Sequence, residues 1–301
     1  MIWKGVMPAM TTAFNPDFSL DPSSIAKRAE WMIESGCKGI VALGSLGESA
    51  TMSHVEKKSV LKTIRAAVDA PLVAGISGLS TAETIATAQM AAEIGCDGLM
   101  VLPPYVYRGD WREMKAHVSA VFRATPLSCM LYNNPIAYGT DFTPEQMVEL
   151  AGEHANFMAV KESSADVRRV TAIRSLLGDR LAVFVGVDDE IVEAIAAGAT
   201  GWIAGLVNAF PQESVALFDL ATAGKWSEAF KLYRWFLPLL RLDTVPKFVQ
   251  LIKLAEARAG VGTATVRPPR LELVGEELDS FVELIDDAIE NRPALTLTGA
   301  D

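Results

Sequence analysis

The chain has 301 residues, half of them apolar, and a formal net charge of −10. That length supports one large core, and an acidic balance with no clustered basic stretch argues against nucleic acid as a partner, because phosphate binding needs grouped Lys and Arg. Cys37, Cys96 and Cys129 stand far apart and form no CxxC pair, which argues against a disulfide framework or zinc site and suits a reducing cytoplasm. Met1-Ile2-Trp3-Lys4-Gly5 opens without a charged region followed by an apolar run, so no signal peptide is expected. No apolar run approaches the length of a membrane span, so no membrane association is expected either.

In chain order, short apolar runs alternate with helical patterns. The runs are Val6 to Ala13, Ile40 to Gly44, Leu72 to Gly75, Leu99 to Leu102, Leu127 to Tyr132, Phe157 to Val160, Leu181 to Val185 and Trp202 to Ala204. Such runs between helices read as parallel strands buried on both faces. Ser53-His54-Val55-Glu56 and Ser80-Thr81-Ala82-Glu83 fit capping boxes. Thr143-Pro144-Glu145-Gln146 adds a proline at the first helical position.

A weak repeat supports the division. Gly36-Cys37-Lys38-Gly39-Ile40, Gly95-Cys96-Asp97-Gly98-Leu99 and Gly198-Ala199-Thr200-Gly201-Trp202 each fall where a helix ends and a strand begins. Glycine there can close a helix in the left-handed conformation. The copies enclose two and then four strand–helix units of about 26 to 30 residues each, the size of a βαβ repeat. Eight units predict a (β/α)8 TIM barrel; the alternative is an open doubly wound sheet. Gln212 to Ala223 completes the barrel, and Ser227 to Leu240, Val245 to Ala259 and Glu276 to Glu290 read as additional helices. The expected organisation is a barrel over 1–224, a C-terminal helical appendage over 225–293 packed on it, and a loose tail over 294–301.

In such a barrel the reactive groups gather at the C-terminal ends of the strands. Lys161 closes the sixth run, where partial desolvation disfavours its ammonium and yields an amine able to attack a carbonyl or imine carbon; a lysine with a solvated head fits the same position. Tyr132 closes the fifth run and offers a phenol for proton transfer, or a buried tyrosine with one satisfied hydroxyl. Gly44-Ser45-Leu46-Gly47-Glu48-Ser49 can turn N–H groups and the Ser45 hydroxyl toward a carboxylate, or be only a tight turn. Asp188 and Asp189 follow the seventh run and can bind substrate hydroxyls or cap the next helix. Tyr105 and Tyr107 follow the fourth run, where they can line a pocket or a subunit contact. His54, His117 and His154 form no ligand set with spaced acids, and no metal, phosphate-loop or dinucleotide motif is found, so no cofactor is expected.

Together, Gly44-Ser45-Leu46-Gly47-Glu48, Tyr132-Asn133-Asn134-Pro135 and Val160-Lys161-Glu162-Ser163 resemble the dihydrodipicolinate synthase / N-acetylneuraminate lyase family of class I aldolases, over about Trp3 to Pro293. The resemblance implies Lys161 as Schiff-base lysine, Tyr132 as proton relay and Ser45 as carboxylate holder. It also implies Tyr105 as a supporting tyrosine that can reach a neighbouring subunit, a small 2-keto acid as substrate, and a homotetramer. Leu46, Gly47, Asp188 and Ile203 complete the expected substrate-binding set. Two departures stand out. The synthase pattern has two threonines where Ser45 and Leu46 stand, and an arginine, which holds the second substrate's carboxylate, where Ala137 stands. Gly186-Val187-Asp188-Asp189, Gly201-Trp202-Ile203-Ala204-Gly205, Asn208-Ala209-Phe210-Pro211, Leu242-Asp243 and Arg267-Pro268-Pro269-Arg270 look most similar to deaminases of 1-pyrroline-4-hydroxy-2-carboxylate in bacterial hydroxyproline breakdown. Other readings are aldol cleavage or dehydration of a 2-keto-3-deoxy sugar acid, synthase-type condensation, and a sensor that kept the barrel without catalysis.

Overall fold

The computed structural model describes residues 3–295. Eight short strands run in parallel: β1 (Gly5–Pro8), β2 (Ile40–Ala42), β3 (Leu72–Ile76), β4 (Gly98–Val101), β5 (Ser128–Asn133), β6 (Phe157–Glu162), β7 (Ala182–Val185) and β8 (Gly201–Ala204). Their order is β1-β8-β7-β6-β5-β4-β3-β2. The Lys38 N–H donates to the Val6 carbonyl at 2.8 Å and the Met10 N–H to the Val41 carbonyl at 2.9 Å, joining β1 to β2. With β1 also paired to β8 (Val6↔Trp202), neither end of the sheet is an open edge. This is the (β/α)8 TIM barrel, not the doubly wound sheet. Nearly every strand residue is buried, because barrel strands have side chains inside and helices outside.

The local signals act as their chemistry dictates. Gly36, Gly95 and Gly198 have φ of +102°, +90° and +104°, each leading from a helix into a strand. The Ser53–Glu56 and Thr143–Gln146 pairs make reciprocal capping boxes. At Ser80 only half of the box forms, because the Glu83 carboxylate accepts from the Leu79 N–H at 3.0 Å instead. The first apolar run leaves the barrel wall at Pro8, earlier than expected, and turns back on itself through the Phe14↔Leu20 antiparallel bridge. Its apolar side chains through Met10 are buried all the same, and just past the run the Phe14 ring lies 4.5 Å beneath the Lys253 Nζ and 4.4 Å beneath the Arg267 Cζ.

Helices Pro211–Thr222, Trp226–Leu240, Phe248–Arg258 and Gly275–Glu290 follow β8. Trp235 and Phe236 stack at 5.2 Å against the edge of Phe210, and the Trp235 Nε1 donates to the Ala288 carbonyl at 3.0 Å. Leu295 packs on the core, while positions 296–301 of the expected tail lie outside the described residues. Among the described residues, no helix is long and apolar enough to cross a membrane.

A buried polar network fastens these helices to the barrel. Arg28 pairs with Glu256 at 2.8 Å, with side chains 6% and 1% exposed. The Thr11 hydroxyl donates to Glu256 at 2.6 Å and accepts from Arg28 at 2.7 Å. Asn208 accepts from the Thr11 N–H at 3.1 Å and donates to the Ala9 and Gly205 carbonyls at 2.8 Å. Glu256→Ala would leave the Arg28 guanidinium buried without its carboxylate. We expect a loss of about 3–5 kcal/mol, read as a lower urea midpoint at unchanged slope. The double replacement Arg28→Met/Glu256→Met should recover most of it, since it removes both charges.

Candidate active site

Lys161 lies within β6, paired in register with Tyr132 of β5 on one side and Phe184 of β7 on the other. Register partners point to the same face of a sheet, so the Lys161 and Tyr132 side chains meet. The Lys161 Nζ sits 4.2 Å from the centroid of the Tyr132 ring. Both side chains are buried, each residue being 5% exposed. Space for the lysine comes from Gly186, just beyond β7. A Cβ there would fall 2.1 Å from the Lys161 Cε and 2.2 Å from the Ser163 Oγ, so only glycine lets the lysine cross this strand end.

Burial drives the Lys161 amine down to about 8, opposed by the negative charges of Asp243 and then Asp188. Neither acid reaches it within 4.0 Å, so a gap separates the amine from both carboxylates. The two acids differ in how they are satisfied. Asp188 is fully buried and accepts from the Trp202 Nε1 at 3.0 Å, the Gly205 N–H at 3.0 Å and the Leu206 N–H at 2.8 Å. Burial raises its pKa, and these donors and Lys161 act against that rise. Asp243 is half-buried, its carboxylate pressed against Gly205, and among the described residues no N–H or O–H donates to it. Burial, and then the charge of Asp188, holds it well above the usual carboxylate range.

The Tyr132 hydroxyl accepts from the Asn134 Nδ2 at 3.0 Å. Burial pushes this phenol up to about 12, so it is a neutral donor at physiological pH. The Ser163 Oγ faces it and has no hydrogen-bond partner among the described residues. Asn134 also caps the short helix Pro135–Tyr138 by accepting from the Ala137 N–H at 2.9 Å. That helix carries Tyr138, whose hydroxyl is hydrogen-bonded to the Ser45 Oγ. The Tyr138 ring lies 5.9 Å from Tyr132 and 5.8 Å from Tyr105. The turn bearing Ser45 is fixed from behind: the Gly47 carbonyl accepts from the Thr12 hydroxyl at 2.8 Å, and buried Glu48 pairs with Lys253 at 2.6 Å.

An amine of lowered basicity, a neutral phenol and a hydroxyl at a glycine-rich turn form a site able to make an imine and move protons around it. Over residues 2–288 the chain matches the family model described as the dihydrodipicolinate synthetase family. The chain belongs to that family. As a member it is a Schiff-base, aldolase-like lyase of the class I type. One relative, from Methanothrix thermoacetophila and named 4-hydroxy-tetrahydrodipicolinate synthase, is 31% identical, with 89% of this chain and 91% of the relative covered. Another of that name, from Geotalea uraniireducens, is 33% identical over 89% and 92% of the two chains. The synthase structure from Methylacidiphilum fumariolicum superposes with a TM-score of 0.91 at 27% identity, covering 96% of this chain and 97% of that one. A prophage member of the family from E. coli K12, solved in complex with pyruvate, superposes with a TM-score of 0.90 at 26% identity, covering 96% and 99%.

Within this family frame, the structure gathers Lys161, Tyr132, Ser45 and Tyr105 around one mouth, the last two through Tyr138. Leu46 is buried in the strand-two turn, and Ile203 is fully buried in β8. Asp188 makes no side-chain cap to the following helix; it ties the loop after β8 instead. Asp189 is half-buried and pairs with Arg241 at 3.4 Å. Tyr107 is 60% exposed. Asn134, Tyr138 and Asp243 join the site beyond the residues expected from the sequence. The Asn-Pro pair, a cap followed by proline at the first helical position, was a signal for the first two. For Asp243 the signal was the Leu242-Asp243 stretch, which gives no role, since it comes from the C-terminal helices and acts on Lys161 only in the fold.

With the amine near 8, roughly a tenth of it is neutral at pH 7, against roughly one part in three thousand at an ordinary lysine value. The initial rate of borohydride trapping with pyruvate should therefore rise from pH 6 and level off near pH 9. Asp243→Asn removes a charge that holds the amine up, so the rising limb should move to lower pH. A limb that stays near pH 10 in the wild-type enzyme would contradict the burial argument.

Proposed function

We propose that the protein converts 1-pyrroline-4-hydroxy-2-carboxylate to 2,5-dioxopentanoate and ammonia through an imine on Lys161. The substrate is already a cyclic imine. The Lys161 amine adds at C2 and the ring opens by transimination, freeing the C5 amine. The enzyme imine acidifies C3; loss of that proton gives an enamine, which expels the C4 hydroxyl as water once it is protonated. Tautomerisation turns the C5 amine into an imine, one water releases ammonia from C5, and a second frees the product from Lys161. One water is consumed in the balance. Tyr132 is proposed to shuttle the protons, with Ser45 and the Gly47 turn holding the carboxylate.

The observation that carries this reading is the loop after β5, which has Ala137 where a synthase needs an arginine, followed by Tyr138 bonded to Ser45. Such a mouth suits a substrate with a single carboxylate next to the reacting carbon, because a second buried carboxylate without a charged partner is costly. The synthase condensation named for the relatives is the competing reaction. Cleavage or dehydration of a keto-deoxy sugar acid is less favoured, since of its two candidates for binding hydroxyls Asp188 already accepts from three N–H groups and Asp189 pairs with Arg241. A homotetramer is proposed with this reading. Its support is the set of exposed apolar side chains on the loops after β3, β4 and β5: Leu79 at 73%, Val106 at 59% and Ile136 at 71%.

The deciding measurement is ammonia release from the pyrroline carboxylate beside pyruvate-dependent consumption of aspartate semialdehyde. We expect the first to be rapid and the second very poor; condensation at ordinary enzymatic rates without ammonia release would overturn the assignment. Borohydride with substrate should add mass to the peptide containing Lys161, and Lys161→Ala should lose nearly all turnover. For Tyr132→Phe, a folded enzyme slowed by about 10² to 10⁴-fold is expected from the loss of a proton relay, and a kcat near that of the wild type would remove Tyr132 from the mechanism.

A further inference from the structure

Tyr138 is a firmly held group at the mouth that the imine chemistry leaves unused. Its helix is one turn long, yet it is held at both ends. Asn134 joins the start of that turn to the Tyr132 hydroxyl, so one amide fixes both rings. Gly139 ends the turn at φ +68°, with the Arg108 side chain packed where a Cβ would stand. The Thr140 hydroxyl then donates to the Pro104 carbonyl at 2.9 Å, tying the loop after β5 to the loop after β4. Between these anchors the Tyr138 ring lies edge-on to Tyr132, at an interplanar angle of 83°, and tilted by 48° against Tyr105.

We propose that Tyr138 is a specificity-determining residue, whose hydroxyl aims Ser45 at the substrate carboxylate and whose ring closes the mouth to long-chain 2-oxo acids. Either hydroxyl can donate in the bond between Tyr138 and the Ser45 Oγ; we assign the proton to the phenol, the stronger donor of the two. The Ser45 proton is then left free to donate outward. Burial and the neighbouring Tyr132 hold the Tyr138 phenol far above its usual range, so it keeps that proton throughout the working pH range. Hydrogen bonds in series polarise one another, and Ser45 meets a carboxylate as a better donor than an isolated serine would. The ring acts separately, by volume. It stands between Tyr105 and Tyr132, which is where we place the far end of an extended substrate. A compact five-membered ring has no such end. This selectivity for short or cyclic 2-oxo and 2-imino acids rests on the reading of Lys161 as the imine-forming amine.

The test is borohydride trapping on the full-length protein, read as added mass on Lys161, with unbranched 2-oxo acids from pyruvate to 2-oxooctanoate. In the wild type, trapping should fall steeply beyond 2-oxopentanoate. Tyr138→Phe keeps the ring and loses the hydroxyl. It should retain the steep fall but need about tenfold more pyruvate for half-maximal trapping, the size of one hydrogen bond. Tyr138→Ala opens the mouth and should raise trapping of 2-oxooctanoate relative to pyruvate by about tenfold, the change expected when a few methylenes regain apolar contact. Each variant is compared at matched far-ultraviolet circular dichroism and melting temperature. A Tyr138→Ala enzyme with the wild-type chain-length profile, or a Tyr138→Phe enzyme with the wild-type pyruvate dependence, overturns the proposal. A wild type that no 2-oxo acid can trap overturns the Lys161 reading and this inference with it.

Discussion

Lys253 is an ammonium with 2% of its side chain exposed, and an ion so placed must find its partners inside the protein. It finds the Glu48 carboxylate at 2.6 Å and the Thr265 carbonyl at 2.7 Å. Glu48 in turn accepts from the Arg267 N–H at 2.9 Å. These contacts join the turn after β2 to helix Phe248–Arg258 and to the segment beyond it. The turn they hold is the one that presents Ser45. The Ser45 end of the site thus depends on a buried charge more than two hundred residues away in sequence. Arg28, Glu256 and Thr11 repeat the arrangement at the end of β1.

The C-terminal helices are consequently part of the site. They bring Asp243 over Gly205 and cover the apolar run that leaves β1. Burial alone would push Lys161 far toward the neutral amine; the charges of Asp243 and Asp188 restrain it. The result is an amine largely protonated when the site is empty and able to become a nucleophile with a modest loss. Asp188 contributes a fixed charge because three N–H groups hold it in place. Asp243 accepts no such bond among the described residues and acts on Lys161 by its charge alone.

Strand register does the remaining positioning. Tyr132 and Lys161 come from different βα units, yet parallel pairing places them level and on one face. A slip of one residue would turn one of them outward. Gly186 completes the arrangement by leaving room for the lysine to pass. Family membership fixes the class of chemistry that such a site performs. The choice of substrate is what we propose for the loop after β5, where Ala137 and Tyr138 stand.

The sequence by itself determined what depends on neighbours along the chain. The alternation of apolar runs and helical patterns is a local property that predicts eight units, while the pairing of β1 with both β8 and β2 that closes them as a barrel is seen only in the fold. The glycines at 36, 95 and 198 mark helix-to-strand transitions because the left-handed conformation they adopt is intrinsic to the residue. Lys161 and Tyr132 were legible as candidates because strand ends in a barrel open on one face. Tertiary structure alone decided what depends on the meeting of distant segments. The end of β1 at Pro8 reflects a turn toward the C-terminal helices that no local pattern encodes. Asp188 could be read as a helix cap or a hydroxyl binder, and became the anchor of the loop after β8 because Trp202 and Gly205 converge on it from another unit. Asp243 comes to act on Lys161 by its charge only through the docking of the last helices, and Tyr138 reaches Ser45 only across the barrel mouth. Desolvation and charge act through space, so the groups that tune the lysine are set by the fold, however far apart they lie in the chain.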